Sequence, residues 1–466
     1  MIRTTHAGLR QSVLRRYLRS KSTLAPTIKE QISASPPIGS TLEVRGFVKS
    51  IRNSKNVGFL DISDGSTSKI INVVLVGREQ PRFQVGESVC VRGEWSASKG
   101  KGQDKELKYN PENPNHSYEI IGEVPEDYPL QKKATSMSFL RTLPSLKHRA
   151  STIASFYRLR SFLETQMMDF FNNHSFTKVT PPLITSSDCE GAGETFEIKQ
   201  ADDFFEKRAY LTVSTQLHLE AISLALNRAW TLAPCFRAEE SKTSRHLSEF
   251  WMLEAEISYL NKLEPLLSFT EEMIKSVTRS LVERKKEYLE GTYLDQEVIE
   301  SRWSSILGSD WRRLTYHEAL EELNKQGANL EFGDSLNLVH ERALAENGPV
   351  FVTDYPASMK PFYMLKSLSY NENEPTVACF DLLLPQFGEL VGGSLREHDY
   401  DTLIESMREK SMNLEDMEWY ITLRKCGTIP HGGFGMGWER FVTYLSGHDN
   451  IRDLVPFPRA PGLCKA

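Results

Sequence analysis

The chain has no C-x-x-C pair. Its six cysteines are scattered over 466 residues, at positions 90, 189, 235, 379, 426 and 464. That spacing supports neither a zinc site nor a disulfide framework, and a reducing compartment fits it best. No apolar run approaches the roughly 18 residues that read as a membrane span. No acidic residue precedes Glu30, although Arg3, Arg10, Arg15, Arg16, Arg19 and Lys21 all fall within residues 1–22. Setting those six cations aside takes the formal charge from −6 to −12. A body that acidic is no indiscriminate binder of nucleic acid, so any RNA contact must come from local basic patches.

What is present reads as a folded protein of two or three domains, 39% hydrophobic and 25% charged. Residues 1–25 are rich in Arg, Ser and Thr. On a helical wheel Leu9, Val13, Leu14, Tyr17 and Leu18 oppose Arg15, Arg16 and Arg19. This is the pattern of a mitochondrial transit peptide, which implies the mitochondrial matrix; a disordered basic tail is the plainer alternative, and a plastid address shares the pattern.

Residues 39–122 are expected to be all-β, with strands at 41–51, 58–62, 69–76, 87–96 and 117–121 separated by turn signals. Five short strands suggest a small barrel of the OB type; an SH3-like barrel shares the pattern. A polar, proline-containing stretch, 123–147, reads as a linker. Residues 150–173 show helical spacing, and 260–350 are expected to be mainly helical. The region from 148 to 466 mixes strands and helices without regular alternation, which predicts α+β.

Three clusters carry chemistry. In residues 232–257 a period of two puts Cys235, Arg237 and Glu239 on one face of a strand-like run. It puts Phe250, Met252, Glu254 and Glu256 on one face of a second run, with Trp251, Leu253, Ala255 and Ile257 opposite. A sheet that is apolar on one side and polar on the other is a platform for a polar ligand. The loop between adds Lys242, Arg245 and His246, suited to phosphate; a salt-bridged, solvated hairpin is the structural alternative. In residues 380–397, Asp381 and Glu389 suit a hard cation such as Mg²⁺ bridging phosphates, and Arg396 can grip an oxygen. The alternative is a pair of surface carboxylates matched by local cations. In residues 430–459, alternating glycines run into a helix beginning near Trp438 and ending at Gly447, with Arg440 in its first turn. That reads as a nucleotide seat with no obvious preceding strand.

Together, the three clusters resemble the class II aminoacyl-tRNA synthetases. Ser186–Glu194 (SSDCEGAGE) resembles the region after motif 1, FRAE with RHLSEF resembles motif 2, and GMGWER resembles motif 3. The order is the family's, and the resemblance covers about residues 39–466. It implies the asparaginyl/aspartyl/lysyl branch, with an OB-fold anticodon-binding domain before an antiparallel catalytic sheet flanked by helices. Within the branch the motifs are similar to those of asparaginyl enzymes. Aspartyl enzymes usually read Arg-Asp-Glu in motif 2, where Ala238 stands here. They also carry a lysine three positions after the glutamine of Ser-x-Gln, where Leu219 follows Gln216. An aspartyl enzyme of strict or relaxed specificity is the alternative. Leu395 stands where many relatives carry Gln.

The resemblance implies ATP as substrate, Mg²⁺ as cofactor, asparagine and its tRNA as partners, and a homodimer through motif 1. It implies ATP contacts from Arg237, Glu239, Arg245, His246, Phe250 and Arg440, with Arg237 and Arg440 catalytic. Amino-acid contacts are implied for Glu190, Gln216, Glu239 and Arg396, and metal ligation for Asp381 and Glu389. Phe59 and Arg52 are implied as anticodon contacts, with barrel core the alternative for Phe59.

Overall fold

The computed structural model describes residues 24–100, 103–132, 135–186, 194–241, 243–289, 294–308, 310–367 and 373–465. All but the last two residues of the expected transit peptide lie outside these, as do Glu190 and Lys242. The chain divides into two units, Met1–Ser155 and Phe156–Ala466.

The first unit holds β1 (Thr41–Asn53), β2 (Val57–Ser63), β3 (Ile71–Val76), β4 (Ser88–Ala97), β5 (Lys105–Tyr109) and β6 (Ser117–Gly122). The ladder runs β1-β2-β3-β5-β4 and closes through a β4–β1 pairing, which is an OB-type barrel; β6 lies outside on β4. Closure relies on the length of β1, whose first half pairs with β4 and second half with β2 across an irregularity between Val48 and Ser50. Gly46 sits at that corner, where a Cβ would approach the Ser63 carbonyl oxygen to 2.7 Å. Val44, Val48, Leu60, Ile62, Val73, Val89, Val91 and Leu107 fill the interior.

The sequence predicts five strands here, but not the same five as the barrel: residues 117–121 fall in β6, outside it, and one barrel strand is unforeseen. Residues 105–109 read as the end of a Lys/Gly turn, yet they form β5, parallel to β3 and antiparallel to β4. Their two lysines mask a short alternation in which Leu107 and Tyr109 point inward. The core alternative for Phe59 does not hold: Leu60 and Ile62 are buried, whereas Phe59 is half-buried on the outer face. Arg52 is its register partner, with the guanidinium carbon 5.6 Å from the ring centroid. Parts of the expected linker pack on the barrel. Tyr128 lies where a Cβ on Gly86 would come within 2.3 Å of its ring; just past the linker, the Arg149 carbonyl accepts from Lys49 Nζ at 2.7 Å.

The second unit is α+β. Besides the short strands β8 (Ile184–Thr185), β9 (Phe196–Glu197) and β10 (Tyr210–Leu211), it has eight strands in one sheet. These are β7 (Thr177–Lys178), β11 (Arg228–Phe236), β12 (Glu249–Ser258), β13 (Arg312–Thr315), β14 (Val350–Thr353), β15 (Cys379–Leu384), β16 (Gly388–Leu395) and β17 (His431–Gly437). Their order is β13-β14-β15-β16-β17-β12-β11-β7, antiparallel except at the two ends. The predicted helix is there as Ser151–Asn173, and the motif 3 helix runs Trp438–Ser446 with Gly447 as its left-handed C-cap. Residues 260–350 are mainly helical, with β13 among the helices. Among the described residues, no helix is long and apolar enough to cross a membrane.

The glycine run corrects an expectation. Residues 431–437 are a central strand, laddered to β12 on one side and β16 on the other. Backbone groups taken up by two ladders do not form a phosphate nest. Small residues are needed there because the neighbours press close: a Cβ on Gly433 would lie 2.2 Å from the Ala255 carbonyl oxygen.

Candidate active site

On the second run the platform forms as the period-two reading requires; the first strand ends at Phe236, so Arg237 and Glu239 follow it in the loop rather than sharing a strand face with Cys235. In the β11–β12 register, Cys235 faces Phe250, Ala233 faces Met252 and Thr231 faces Glu254, so these pairs share one side of the sheet. Met252, Glu254 and Glu256 from this side line a cleft, while Leu253 on the opposite side is fully buried.

Two adjoining cavities occupy that cleft. One, of about 200 Å³, is lined by Arg237, Glu239, Arg245, His246, Phe250 and Arg440, all six of the expected ATP contacts. Three arginines and His246 share it with Glu239, Glu389 and Glu439. Burial and the nearby Arg440 guanidinium push the Arg245 guanidinium down from its ordinary pKa; the same two causes depress the His246 ring. Cations crowded together in this way are stabilised by an incoming polyanion. Arg237 lies over the Phe250 ring, 5.5 Å from the centroid.

The second cavity, of about 170 Å³, is lined by Gln216, Leu219, Glu256, Arg396, Asp381 and Glu389 among others. Arg237, Met252, Glu389 and Gly435 line both, so Arg237 stands where the two meet. At the closed end Arg396 is almost wholly buried. It donates Nε and NH2 to the two oxygens of Glu256, at 3.2 and 3.0 Å, and NH1 to Ser394 Oγ at 2.8 Å. Glu254 is occupied otherwise: it accepts from the Thr215 amide at 2.9 Å and from the hydroxyls of Ser214 and Thr215.

Residues 137–461 match the family of tRNA synthetases class II (D, K and N), and residues 42–121 match the OB-fold nucleic acid binding domain. The chain belongs to the class II tRNA synthetases. It is 41% identical over 456 residues to the mitochondrial asparagine--tRNA ligase of Saccharomyces cerevisiae, covering 90% of this chain and 92% of that one. It is 39% identical to the asparagine--tRNA ligase of Bacillus cereus, covering 91% and 96%. Among solved structures, the asparaginyl-tRNA synthetase of Pyrococcus horikoshii complexed with asparaginyl-adenylate superposes with a TM-score of 0.80. It is 30% identical and covers 92% of this chain and 97% of that one.

Class II synthetases use ATP and a divalent metal, and the carboxylates of this synthetase fit such an ion. Asp381 and Glu389 converge over Gly392: a Cβ there would lie 3.5 Å from Asp381 Oδ1 and 3.6 Å from Glu389 Oε1. Burial raises the pKa of Asp381, the Glu389 carboxylate adds to the rise, and the Lys360 ammonium at 2.9 Å opposes it. Two carboxylates made to share a site are what a hard cation relieves.

Of the expected ATP, amino-acid and metal contacts, all but Glu190, which lies outside the described residues, line these two cavities, with one change of compartment. Glu239 lines the cavity of Arg245, His246 and Arg440, 3.8 Å from Arg237, and not the cavity that holds Arg396. Glu256 is the carboxylate beside Arg396. Sequence reasoning placed Glu256 on the polar face but gave it no role, because the partner is 140 positions away. It also missed Lys360 and the buried Glu220. Glu220 had a readable signal: it lies four residues after Gln216, hence on the same helix face.

Proposed function

We infer that this synthetase joins asparagine to its tRNA through an asparaginyl-adenylate. The observation that carries the specificity is the Arg396–Glu256 pair. Arg396 offers donors and Glu256 offers acceptors, and each already balances the other's charge. A side-chain amide matches such an end, its carbonyl oxygen taking a donor from Arg396 and its NH2 donating to Glu256. An aspartate carboxylate would instead set an anion against Glu256, without the extra cation that a buried charge needs. The position where aspartyl enzymes carry that cation holds the buried Leu219.

In the reaction, the carboxylate of asparagine attacks the α-phosphorus of ATP and pyrophosphate leaves. The terminal ribose 3′-hydroxyl of the tRNA then takes the aminoacyl group. The first nucleophile is ionised at neutral pH, so no general base is required and positioning and charge stabilisation carry the rate. Arg237, at the junction, is placed to hold the carboxylate and the α-phosphate together. Phe250 offers a face to adenine. Arg245, His246 and Arg440 offer charge to the outer phosphates, and Glu239 lies on the same nucleotide side. Gln216, with Glu190 from the region after motif 1, serves the amino group. Asp381 and Glu389 would hold Mg²⁺, whose contribution is to neutralise phosphate charge.

Adenylate formation measured with asparagine and with aspartate separately decides the substrate. A preference for aspartate would remove the assignment. In the same assay Leu219→Lys should move the asparagine-to-aspartate ratio toward aspartate, because the ammonium gains no full partner from a neutral amide. A ratio that does not move would mean that Leu219 does not face the substrate.

We assign anticodon contact to Phe59 and Arg52, since the outer face of this barrel presents an aromatic beside a cation. A base stacked on an aromatic is worth about 1–3 kcal/mol, so Phe59→Ala should cost roughly 5- to 150-fold in tRNA charging. Adenylate formation without tRNA should be unaffected. Because the ring is not core, the melting temperature should hold. A lower melting temperature with a loss indifferent to anticodon sequence would point to packing instead.

The resemblance to a mitochondrial relative and the basic first segment support a mitochondrial matrix address. A reporter fused to residues 1–25 that stayed diffuse in the cytosol would refute it. We also propose a homodimer through the helix Ser151–Asn173 and the chain that follows it to Pro182; a monomer mass by light scattering at micromolar concentration would count against this.

A further inference from the structure

The most heavily bonded carboxylate near the cleft touches no expected substrate atom. Glu220 is fully buried on the helix Gln216–Leu226, and both its oxygens are committed. Oε1 accepts from Gln216 Nε2 at 3.0 Å and lies 3.8 Å from Arg396 Nε. Oε2 accepts from Tyr420 OH at 2.6 Å and from Arg424 NH2 at 2.8 Å, and His431 Nε2 is 3.1 Å away. Arg424 is itself fixed by donating Nε to the Glu397 carbonyl at 3.0 Å and NH2 to Tyr420 Oη at 2.8 Å. Burial works against the charge of Glu220. The Arg424 guanidinium, the His431 ring and Arg396 outweigh burial, so the carboxyl stays well below its ordinary range and remains an anion.

Two consequences follow for the cleft. An amide has a donor end and an acceptor end. With the Gln216 NH2 held by an anion, its carbonyl oxygen is the end left to face the cavity. That is the end able to accept from an ammonium. Arg396 is likewise held between two carboxylates, Glu256 at 3.0 Å and Glu220 at 3.8 Å, which fixes the plane of its guanidinium. Tyr420 and Arg424 lie on the helix Glu418–Lys425, and neither lines either cavity.

We propose that Glu220 is a positioning residue that orients the Gln216 amide and the Arg396 guanidinium toward the amino acid, so that Tyr420 and Arg424, outside the cleft, set the affinity for asparagine. The proposal rests on the reading of Gln216 as an amino-group contact. ATP is bound by a different set of residues, so the effect should be confined to one substrate.

The test measures pyrophosphate exchange with asparagine and ATP each varied. Glu220→Gln should raise the KM for asparagine by at least tenfold and Tyr420→Phe by about three- to tenfold, with the KM for ATP changing less than twofold. Tyr420→Phe removes one hydroxyl and keeps the ring, so it serves if Glu220→Gln does not fold. Both are then repeated in a Gln216→Met background. If Glu220 acts through Gln216, most of its effect is already lost there, and the additional rise in KM should shrink to within twofold of the share due to Arg396, visible as a changed asparagine-to-aspartate ratio. Equal losses for both substrates, or undiminished losses in the Gln216→Met background, overturn the positioning role. If Gln216→Met alone leaves the KM for asparagine unchanged, the underlying reading of the site fails, and the proposal with it.

Discussion

Arg237→Ala should lower asparagine activation by about 10²–10³-fold, the usual loss when one donor aimed at developing charge is removed. Arg237 lines both cavities, the one that gathers phosphate-seeking cations and the one that ends in the Arg396–Glu256 pair. A group at that junction can touch the attacking carboxylate and the α-phosphate at once, and negative charge accumulates between them as the new bond forms. Its approach is set by structure. The Arg237 amide donates to the Ser248 carbonyl at 3.0 Å, and the side chain lies over Phe250. The alanine variant should therefore fold, because the side chain is partly exposed and Glu239, 3.8 Å away, is also partly exposed, so that pair adds little to stability. The loss should fall mainly on the turnover of adenylate formation, because the charge to be stabilised is greatest in the transition state. A folded variant with less than a threefold loss would mean that the chemistry occurs elsewhere.

The second large effect is on stability. Arg396→Leu should cost about 3–5 kcal/mol, since removing one member of a buried ion pair leaves the other charge without compensation. Arg396 and Glu256 are each 2% exposed or less, and Glu256 has lost its bidentate partner in the variant. Glu220 suffers less, for Arg424 and Tyr420 still serve it. In melting experiments the change should be about 10 °C. The double variant Arg396→Leu with Glu256→Leu should recover part of that loss while remaining inactive, because an apolar pair of similar bulk carries no desolvation cost. A single variant as stable as the parent would show that Glu256 is not held as an anion by Arg396. Exposed pairs such as Arg45–Glu43 should show nothing comparable, since water already screens them.

The two effects differ in kind. Arg237 is partly open to solvent and acts on a ligand's charge. Arg396 is enclosed and first answers a protein charge. A pocket that must recognise a neutral amide needs the second arrangement, because a free buried guanidinium would favour a carboxylate over an amide.

Much of this site is readable along the chain. Period-two spacing puts Phe250, Met252, Glu254 and Glu256 on one face, and the register with β11 places that face on the cleft. The helix of the third cluster starts at Trp438 and stops at Gly447, because a residue with φ of +68° favours glycine as a C-cap. Several strands escaped, two of them for a reason readable in their composition. Residues 105–109 alternate too briefly between lysines, and 431–437 are too glycine-rich, for hydrophobic period to register. Both acquire their strand character from neighbours on either side, which is a tertiary cause.

The sequence by itself determined the order of the two units, the polar face of the catalytic platform and the residue types gathered there. Local spacing suffices for these, because the 2.0 and 3.6 periods decide which side chains share a face. Only the tertiary structure decided which charge answers which. Arg396 meets Glu256 across 140 positions, Arg424 meets Glu220 across 204, and Glu239 falls in the cavity of Arg245, His246 and Arg440 rather than in that of Arg396. Strand order and register set those pairings, and they decide function because a buried charge is worth what its immediate partner makes it.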